Sequence, residues 1–248
     1  MCQGWRAVCT ALLLLVSSAS LAQSPQKVSV GALRLTSSGP IFIALDKGYF
    51  REQGLDVELK LFTAAAQPPL AVVSGDVDFG VTGLTASFYN LAAKGGVKII
   101  GAQSREEPGF PLVAYMVTND AWTKGFRSLK DFPGKSVATT TTGSTFHYSL
   151  GLLAKKYGFD VNGVILRQLN GLPAMQAAFK GAQVDATLVP VSGARALEAE
   201  GAGKILGWVG DETPWQLGAL FASPKTISER RSVVEAFVRG YQKAATAY

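Results

Sequence analysis

The sequence predicts an α/β protein of two similar lobes joined by a two-strand hinge, and three observations carry that reading. β-Branched, strand-like runs alternate with apolar-periodic helical segments along the chain. The same order of strand, polar turn and helix returns after about 105 residues, the self-similarity expected of a duplicated unit. Two apolar, strand-like runs, over residues 111–117 and 215–222, flank the second copy and are expected to cross between the lobes.

Residues 27–35 alternate as a strand does, and Thr36-Ser37-Ser38-Gly39-Pro40 turns the chain into an apolar-periodic helix over 41–50. Gly54 closes that helix, residues 56–62 read as the second strand, and Ala64-Ala65-Ala66-Gln67-Pro68 opens a helix ending near Ser74-Gly75. A buried-type strand follows over 77–81, then the loop Thr82-Gly83-Leu84-Thr85, a helix over 86–93 and a strand over 97–101. In the second copy Lys135-Ser136-Val137-Ala138 replaces the first strand and residues 143–157 the first helix. Gly158-Phe159-Asp160-Val161 answers Gly54-Leu55-Asp56-Val57, Val184-Asp185-Ala186 answers Val77-Asp78-Phe79, and Lys204-Ile205-Leu206-Gly207 answers Lys98-Ile99-Ile100-Gly101.

From Ile227 onward Val233, Val234, Phe237, Val238 and Tyr241 recur at helical spacing, so this segment is expected to pack back on the first lobe. It reaches Tyr248 with neither cap nor breaker, the pattern of a truncated chain. The division expected is a leader over 1–22, a first lobe over 23–112 with 219–248, and a second lobe over 113–218.

Arg6, the apolar run over 11–16 and the small residues Ser20-Leu21-Ala22 compose a secretory signal, which implies an exported, periplasmic protein. The apolar run is shorter than the roughly 20 residues that span a bilayer. Cys2 and Cys9 both lie in this leader, so its removal leaves no disulfide, thiol nucleophile or cysteine metal ligand. Neither cysteine follows the apolar run, where a lipid anchor would attach. Without Arg6 the 24 basic residues become 23 against 18 acidic ones, a balance of +5. These charges are scattered, with no basic run and no aromatic interleaving, which argues against nucleic-acid binding. A mildly positive field still favours small anions.

No cofactor, metal or catalytic set is assigned. A single histidine and no calcium-loop spacing leave no metal-ligand pattern. Ser144 and His147 are three residues apart and share a helix face, as nucleophile and base would. No Gly-x-Ser-x-Gly elbow and no orienting acid accompany them, so His147 reads as structural. The stretch Gly143-Ser144-Thr145-Phe146-His147-Tyr148 instead has the form of an anion-binding helix start. Gly143 admits close backbone approach, and hydroxyls and first-turn N–H groups follow it.

Three motifs in order carry a family resemblance. They are Lys47-Gly48-Tyr49-Phe50 with Gly54-Leu55-Asp56-Val57, then Ser74-Gly75-Asp76-Val77-Asp78-Phe79-Gly80, then Gly143 to Tyr148. The chain resembles the periplasmic substrate-binding proteins of ABC importers for nitrate, taurine, alkanesulfonates and thiamine pyrimidine precursors, over nearly all of its length after the leader. That resemblance implies the periplasmic binding protein type II fold, with strand ends and helix starts of both lobes facing one cleft. It implies a monomer that closes on a small anionic ligand and docks on an ABC permease with its ATPase. Two alternatives share the fold. One is a thiamine-pyrimidine-precursor binding protein or related enzyme, a branch whose reaction draws on histidine and a lysine-held cofactor. The other is a ligand-sensing domain.

Ligands of open parallel sheets lie beyond the carboxyl ends of the strands, and four turns there stand out. Ser37-Ser38-Gly39 and Thr82-Gly83-Leu84-Thr85 belong to the first lobe, Thr142-Gly143-Ser144-Thr145 and Pro190-Val191-Ser192 to the second. All are rich in hydroxyl and N–H donors and free of acidic residues, which suits a carboxylate or sulfonate held by neutral donors and helix dipoles. The candidate ligand-binding residues are Ser37, Ser38, Gly39, Gln67, Thr82, Gly83, Thr85, Thr142, Gly143, Ser144, Thr145, Val191 and Ser192. Gly171 opens a further loop. The stretch Asp185-Ala186-Thr187-Leu188-Val189-Pro190 lacks the aromatic residues of many sulfonate binders, and Phe42, Phe88, Phe146 and Trp215 are the candidates for an apolar wall.

Overall fold

The computed structural model describes residues 24–248, so the leader expected over 1–22 lies outside the described residues. The β-branched runs form ten strands: β1 (Gln26–Leu33), β2 (Leu55–Phe62), β3 (Phe79–Gly83), β4 (Lys98–Glu106), β5 (Val113–Thr118), β6 (Ser136–Thr139), β7 (Ile165–Gln168), β8 (Ala186–Pro190), β9 (Gly203–Trp208) and β10 (Trp215–Ala222). They make two five-stranded sheets, in the orders β2-β1-β3-β10-β4 and β7-β6-β8-β5-β9. The second order is the first with each strand exchanged for its repeat, and β10 and β5 hold equivalent places. Each runs antiparallel to both its neighbours, whereas the other pairs are parallel.

The helices are α1 (Gly39–Asp46), α2 (Tyr49–Glu52), α3 (Gln67–Ser74), α4 (Ala86–Ala93), α5 (Asn119–Thr123), α6 (Thr145–Tyr157), α7 (Leu172–Lys180), α8 (Val191–Ala199), α9 (Val209–Glu212), α10 (Pro224–Glu229) and α11 (Arg231–Ala247). The single helix expected over 41–50 is two, because Gly48 takes a left-handed φ of 73° between α1 and α2. The helix expected from Ile227 is α10 followed by α11, and α11 does pack on the first lobe. Its Phe237 stacks on Phe79 at 4.2 Å and on Phe50 at 5.3 Å between ring centroids. In the second lobe Tyr115, Phe126, Phe132 and Phe179 are fully buried and anchor the core.

The internal repeat extends to side-chain bonding. The backbone N–H and the hydroxyl of Ser29 donate to Asp78 Oδ2 at 2.7 and 3.1 Å, and Asp78 N–H donates back to Ser29 Oγ at 3.1 Å. Ser136 and Asp185 repeat all three bonds, at 2.7, 2.7 and 3.0 Å. Each lock ties the entry of β3 or β8 to the strand beside it. This lock is also why β3 begins at Phe79 rather than at the expected residue 77: Asp78 bonds Ser29 from just before the strand. Among the described residues only the first lock has an added cation, the Arg230 guanidinium paired with Asp78 Oδ1.

The crossings differ from expectation. Residues 111–117 and 215–222 were to pass between the lobes, but β5 lies wholly in the second sheet and β10 pairs with the first from Trp215 to Ala222. The passages are the short segments 107–112 and 213–214. Strand β4 also runs on to Glu106, beyond the expected end at 101, because β10 stays paired beside it as far as Trp215.

Candidate ligand-binding cleft

The strand ends of both sheets converge on a cavity of about 60 Å³. The first lobe supplies Thr36 and Ser37 after β1, Thr63 to Ala65 after β2, Thr82 and Gly83 at the end of β3, and Gln103 of β4. The second supplies Val113 of β5, Thr140 after β6, Thr145 and Phe146 at the start of α6, Leu172 at the start of α7, and Pro190 ending β8. This is the crevice beyond strand carboxyl ends in which α/β sheets bind ligands.

Among the described residues the lining holds hydroxyls, one amide, aliphatic carbon and the Phe146 ring, without a charged side chain. The hydroxyls of Ser37, Thr82, Thr140 and Thr145 make no side-chain hydrogen bond among the described residues and border the cavity, so they present donors to its contents. Gln103 reaches the cavity across Gly218, where any Cβ would collide with the amide oxygen. Gly83 likewise lets Thr145 approach from the opposite lobe: a Cβ there would stand 2.7 Å from Thr145 Cγ2.

Of the predicted residues, Ser37, Thr82, Gly83 and Thr145 border the cavity. The other nine stand behind it or beside it. Ser38 is buried under Gln103 and Gly39 begins α1 beneath the Tyr248 ring. Gln67 Oε1 accepts the N–H groups of Thr63 and Ala64, both at 3.0 Å, and so shapes a loop that lines the cavity. Thr85 caps α4 by accepting from Phe88 N–H at 3.1 Å. Thr142 is exposed, its N–H donating to Gln168 Oε1 at 3.0 Å. Ser144 caps α6: its hydroxyl accepts from His147 N–H at 3.3 Å and shares a 2.9 Å bond with Thr139. Val191 N–H donates to the Leu112 carbonyl at 2.8 Å, and Ser192 is exposed in the first turn of α8.

The apolar wall is mostly aliphatic. Phe146 contributes to it, but Phe88 is buried against Phe221 with centroids 5.1 Å apart, and Trp215 packs on Tyr148 at 4.7 Å. Phe42 lies on α1 outside the lining. Leu33, Leu35, Leu112, Leu172 and Leu217 take the expected place of aromatic rings. Sequence reasoning missed Thr140 and Gln103. Thr140 lies in the hydroxyl run Thr139 to Thr142 and could have been found there, whereas Gln103 is one polar residue on an alternating strand.

Gly143 stands where the lobes touch. Its φ is 77°, its carbonyl accepts the N–H of Ala86 at 2.8 Å, and its own N–H donates to His147 Nδ1 at 3.0 Å. His147 is therefore occupied by main chain, as a structural histidine is, and does not border the cavity.

Glu106 sits at the end of β4, where the chain leaves the first lobe. It is fully buried and neither oxygen has a well-formed hydrogen bond. Burial pushes its carboxyl up to about 8; the nearby N–H groups of Val113 and Gly210 draw it down only in part, and Asp211 raises it further.

Among solved structures the fold matches that of periplasmic solute-binding proteins. The alkanesulfonate-binding protein of Xanthomonas axonopodis pv. citri, bound to MOPS, is similar with a TM-score of 0.76 at 20% identity, over 89% of this chain and 73% of that one. The nitrate-binding protein of Synechocystis PCC 6803 gives 0.73 at 16% identity, over 88% and 61%. Two mixed α/β lobes of five strands each thus define the class as a binding-protein fold.

Within that class the chain belongs to the NMT1/THI5-like family, whose pattern it matches over residues 35–248. It is 29% identical over 245 residues to the taurine-binding periplasmic protein of Escherichia coli K12, covering 95% of this chain and 71% of that protein. A shorter match, 35% identical over 120 residues, joins it to a 4-amino-5-hydroxymethyl-2-methylpyrimidine phosphate synthase of Saccharomyces cerevisiae, covering 48% of this chain. The match spans 33% of that yeast enzyme's length. The cavity lining contains neither lysine nor histidine, so it does not fit a lysine-held cofactor.

Proposed function

We propose that this chain is the periplasmic solute-binding component of an ABC importer, acting as a monomer. It captures a small organic anion, a sulfonate or a carboxylate including aromatic ones, between its lobes and delivers it to a permease. The observation that carries this reading is the uncharged, hydroxyl-rich cavity built jointly by both lobes. Its acidic residues are nil, so nothing there repels an anion. Thr82, Thr140 and Thr145 hydroxyls and the first-turn N–H groups of α6 supply neutral donors at the positive end of a helix dipole. The leucines receive the ligand's carbon.

A thermal-shift panel of nitrate, taurine, alkanesulfonates, aromatic carboxylates and pyrimidines tests it. A concentration-dependent rise with at least one sulfonate or carboxylate is expected, because a ligand bound only by the native state stabilises it. A response confined to pyrimidines would move the assignment to the second reading, a pyrimidine-precursor binding protein, which the yeast match favours. No response anywhere in the panel would sink both.

A further inference from the structure

The histidine left without a role in solute binding stands at the contact between the lobes. Ala86 is the first residue of α4, so its N–H has no partner within its own helix, and it donates across the cleft to the Gly143 carbonyl at 2.8 Å. Gly143 is held from its other side by His147, whose Nδ1 accepts the Gly143 N–H at 3.0 Å. The left-handed φ of 77° aims the carbonyl at Ala86, and the two chains are so close that a Cβ on Gly143 would stand 2.7 Å from the Ala86 Cβ. One imidazole therefore fixes the orientation of the peptide that joins one lobe to the other.

We propose that His147 is a positioning residue for lobe closure: neutral, it holds Gly143 in the orientation that latches Ala86, and on taking a proton it releases the latch. Only the neutral ring, protonated on Nε2, has a lone pair at Nδ1; a proton there sets two donors face to face. Histidine is the side chain that changes charge in the range between pH 5 and 8. His147 opens on a groove between α4 and α6, bordered by Leu84, Ala86 and Tyr89 on one side and Gly143, Tyr148 and Leu152 on the other. The titratable groups facing it are Tyr89 of α4 and Tyr148 of its own helix, and among the described residues no acidic or basic side chain borders the groove. No carboxylate is there to hold an imidazolium, and solvent reaches the ring. The solute capture proposed above relies on closure, but the latch acts without ligand.

The test follows lobe separation rather than binding. Cysteines replace two exposed lysines of opposite lobes, Lys94 at the C-terminal cap of α4 and Lys155 on α6, in a chain with Cys2 and Cys9 changed to serine. Spin labels on the pair report the distance distribution of the ligand-free protein from pH 8 to pH 5. The ratio of closed to open populations is expected to fall about fivefold from pH 8 to pH 5, the factor that one net hydrogen bond is worth. His147→Asn places an amide oxygen where Nδ1 was, and is expected to keep the wild-type pH 8 ratio at both pH values. His147→Leu is expected to show the wild-type pH 5 ratio at both. A wild-type ratio unresponsive to pH, or an Asn variant with the wild-type response, would overturn the latch. Since no solute is added, these outcomes are separate from failure of the thermal-shift panel.

Discussion

Replacing Glu106 by glutamine is expected to stabilise the protein at neutral pH and leave it unchanged in mild acid. In the folded chain this carboxyl holds its proton up to about pH 8, against an ordinary value of 4.5. Between those limits the unfolded chain has released the proton that the folded chain keeps, so stability falls as pH rises from 4.5 to 8 and is level above that. At about 1.4 kcal/mol per pH unit, the span from the ordinary value to pH 7 amounts to about 3 kcal/mol. Glutamine is neutral, has nearly the same shape and matches the protonated acid at a site where neither oxygen is well bonded. Urea unfolding at pH 5, 6, 7 and 8 is the assay. The glutamine chain should gain about 3 kcal/mol over wild type at pH 7 and under about 1 at pH 5. A difference independent of pH would refute the reasoning, since it would mean that Glu106 ionises in the folded chain as readily as in the unfolded one.

Four further outcomes are expected. Thr82→Ala with Thr145→Ala should abolish most of the thermal shift produced by a bound solute while moving the ligand-free midpoint little; an unchanged shift would place binding elsewhere. Ser144→Ala should cost about 1 kcal/mol in urea unfolding as a lost helix cap, with solute affinity nearly retained, because its hydroxyl is bonded to Thr139 and His147. Gly143→Ala should lose about 1–2 kcal/mol from the left-handed backbone alone and hold the lobes apart through its Cβ, which small-angle scattering reads as a larger radius of gyration. Asp185→Ala should cost about 1–3 kcal/mol by leaving the half-buried Ser136 N–H without its acceptor, and calorimetry should show the loss in one lobe's transition.

Much of the architecture was legible because a duplicated sequence leaves the same marks twice. The pairs Ser29 with Asp78 and Ser136 with Asp185 are 49 residues apart in both lobes and make the same three bonds. The correspondence of Val77-Asp78-Phe79 with Val184-Asp185-Ala186 already pointed to this. The start of α6 was legible from Ser144, since a hydroxyl before an amphipathic run is a local cap signal. Less was legible where two helical runs meet, as at Gly48, or where a strand's length depends on its neighbour. Strand β4 continues past 101 because β10, more than a hundred positions away, supplies it with partners as far as Trp215.

The site divides in the same way. Periodicity and turn chemistry determined by themselves that strands end in hydroxyl-rich turns in both halves, because those signals lie within a few residues of each other. Which hydroxyls face a solute was a matter of distance in space. Thr82 and Thr145 reach the cavity while Ser144, one residue from Thr145, is turned inward to Thr139, and Gln103 enters only because Gly218 on a distant strand leaves it room. Gly143 read as part of an anion site and His147 as structural; packing adds that the Gly143 carbonyl meets the other lobe, accepting the free N–H of Ala86. Local spacing selects which groups are available, and only the meeting of two lobes decides which of them remain free for a ligand.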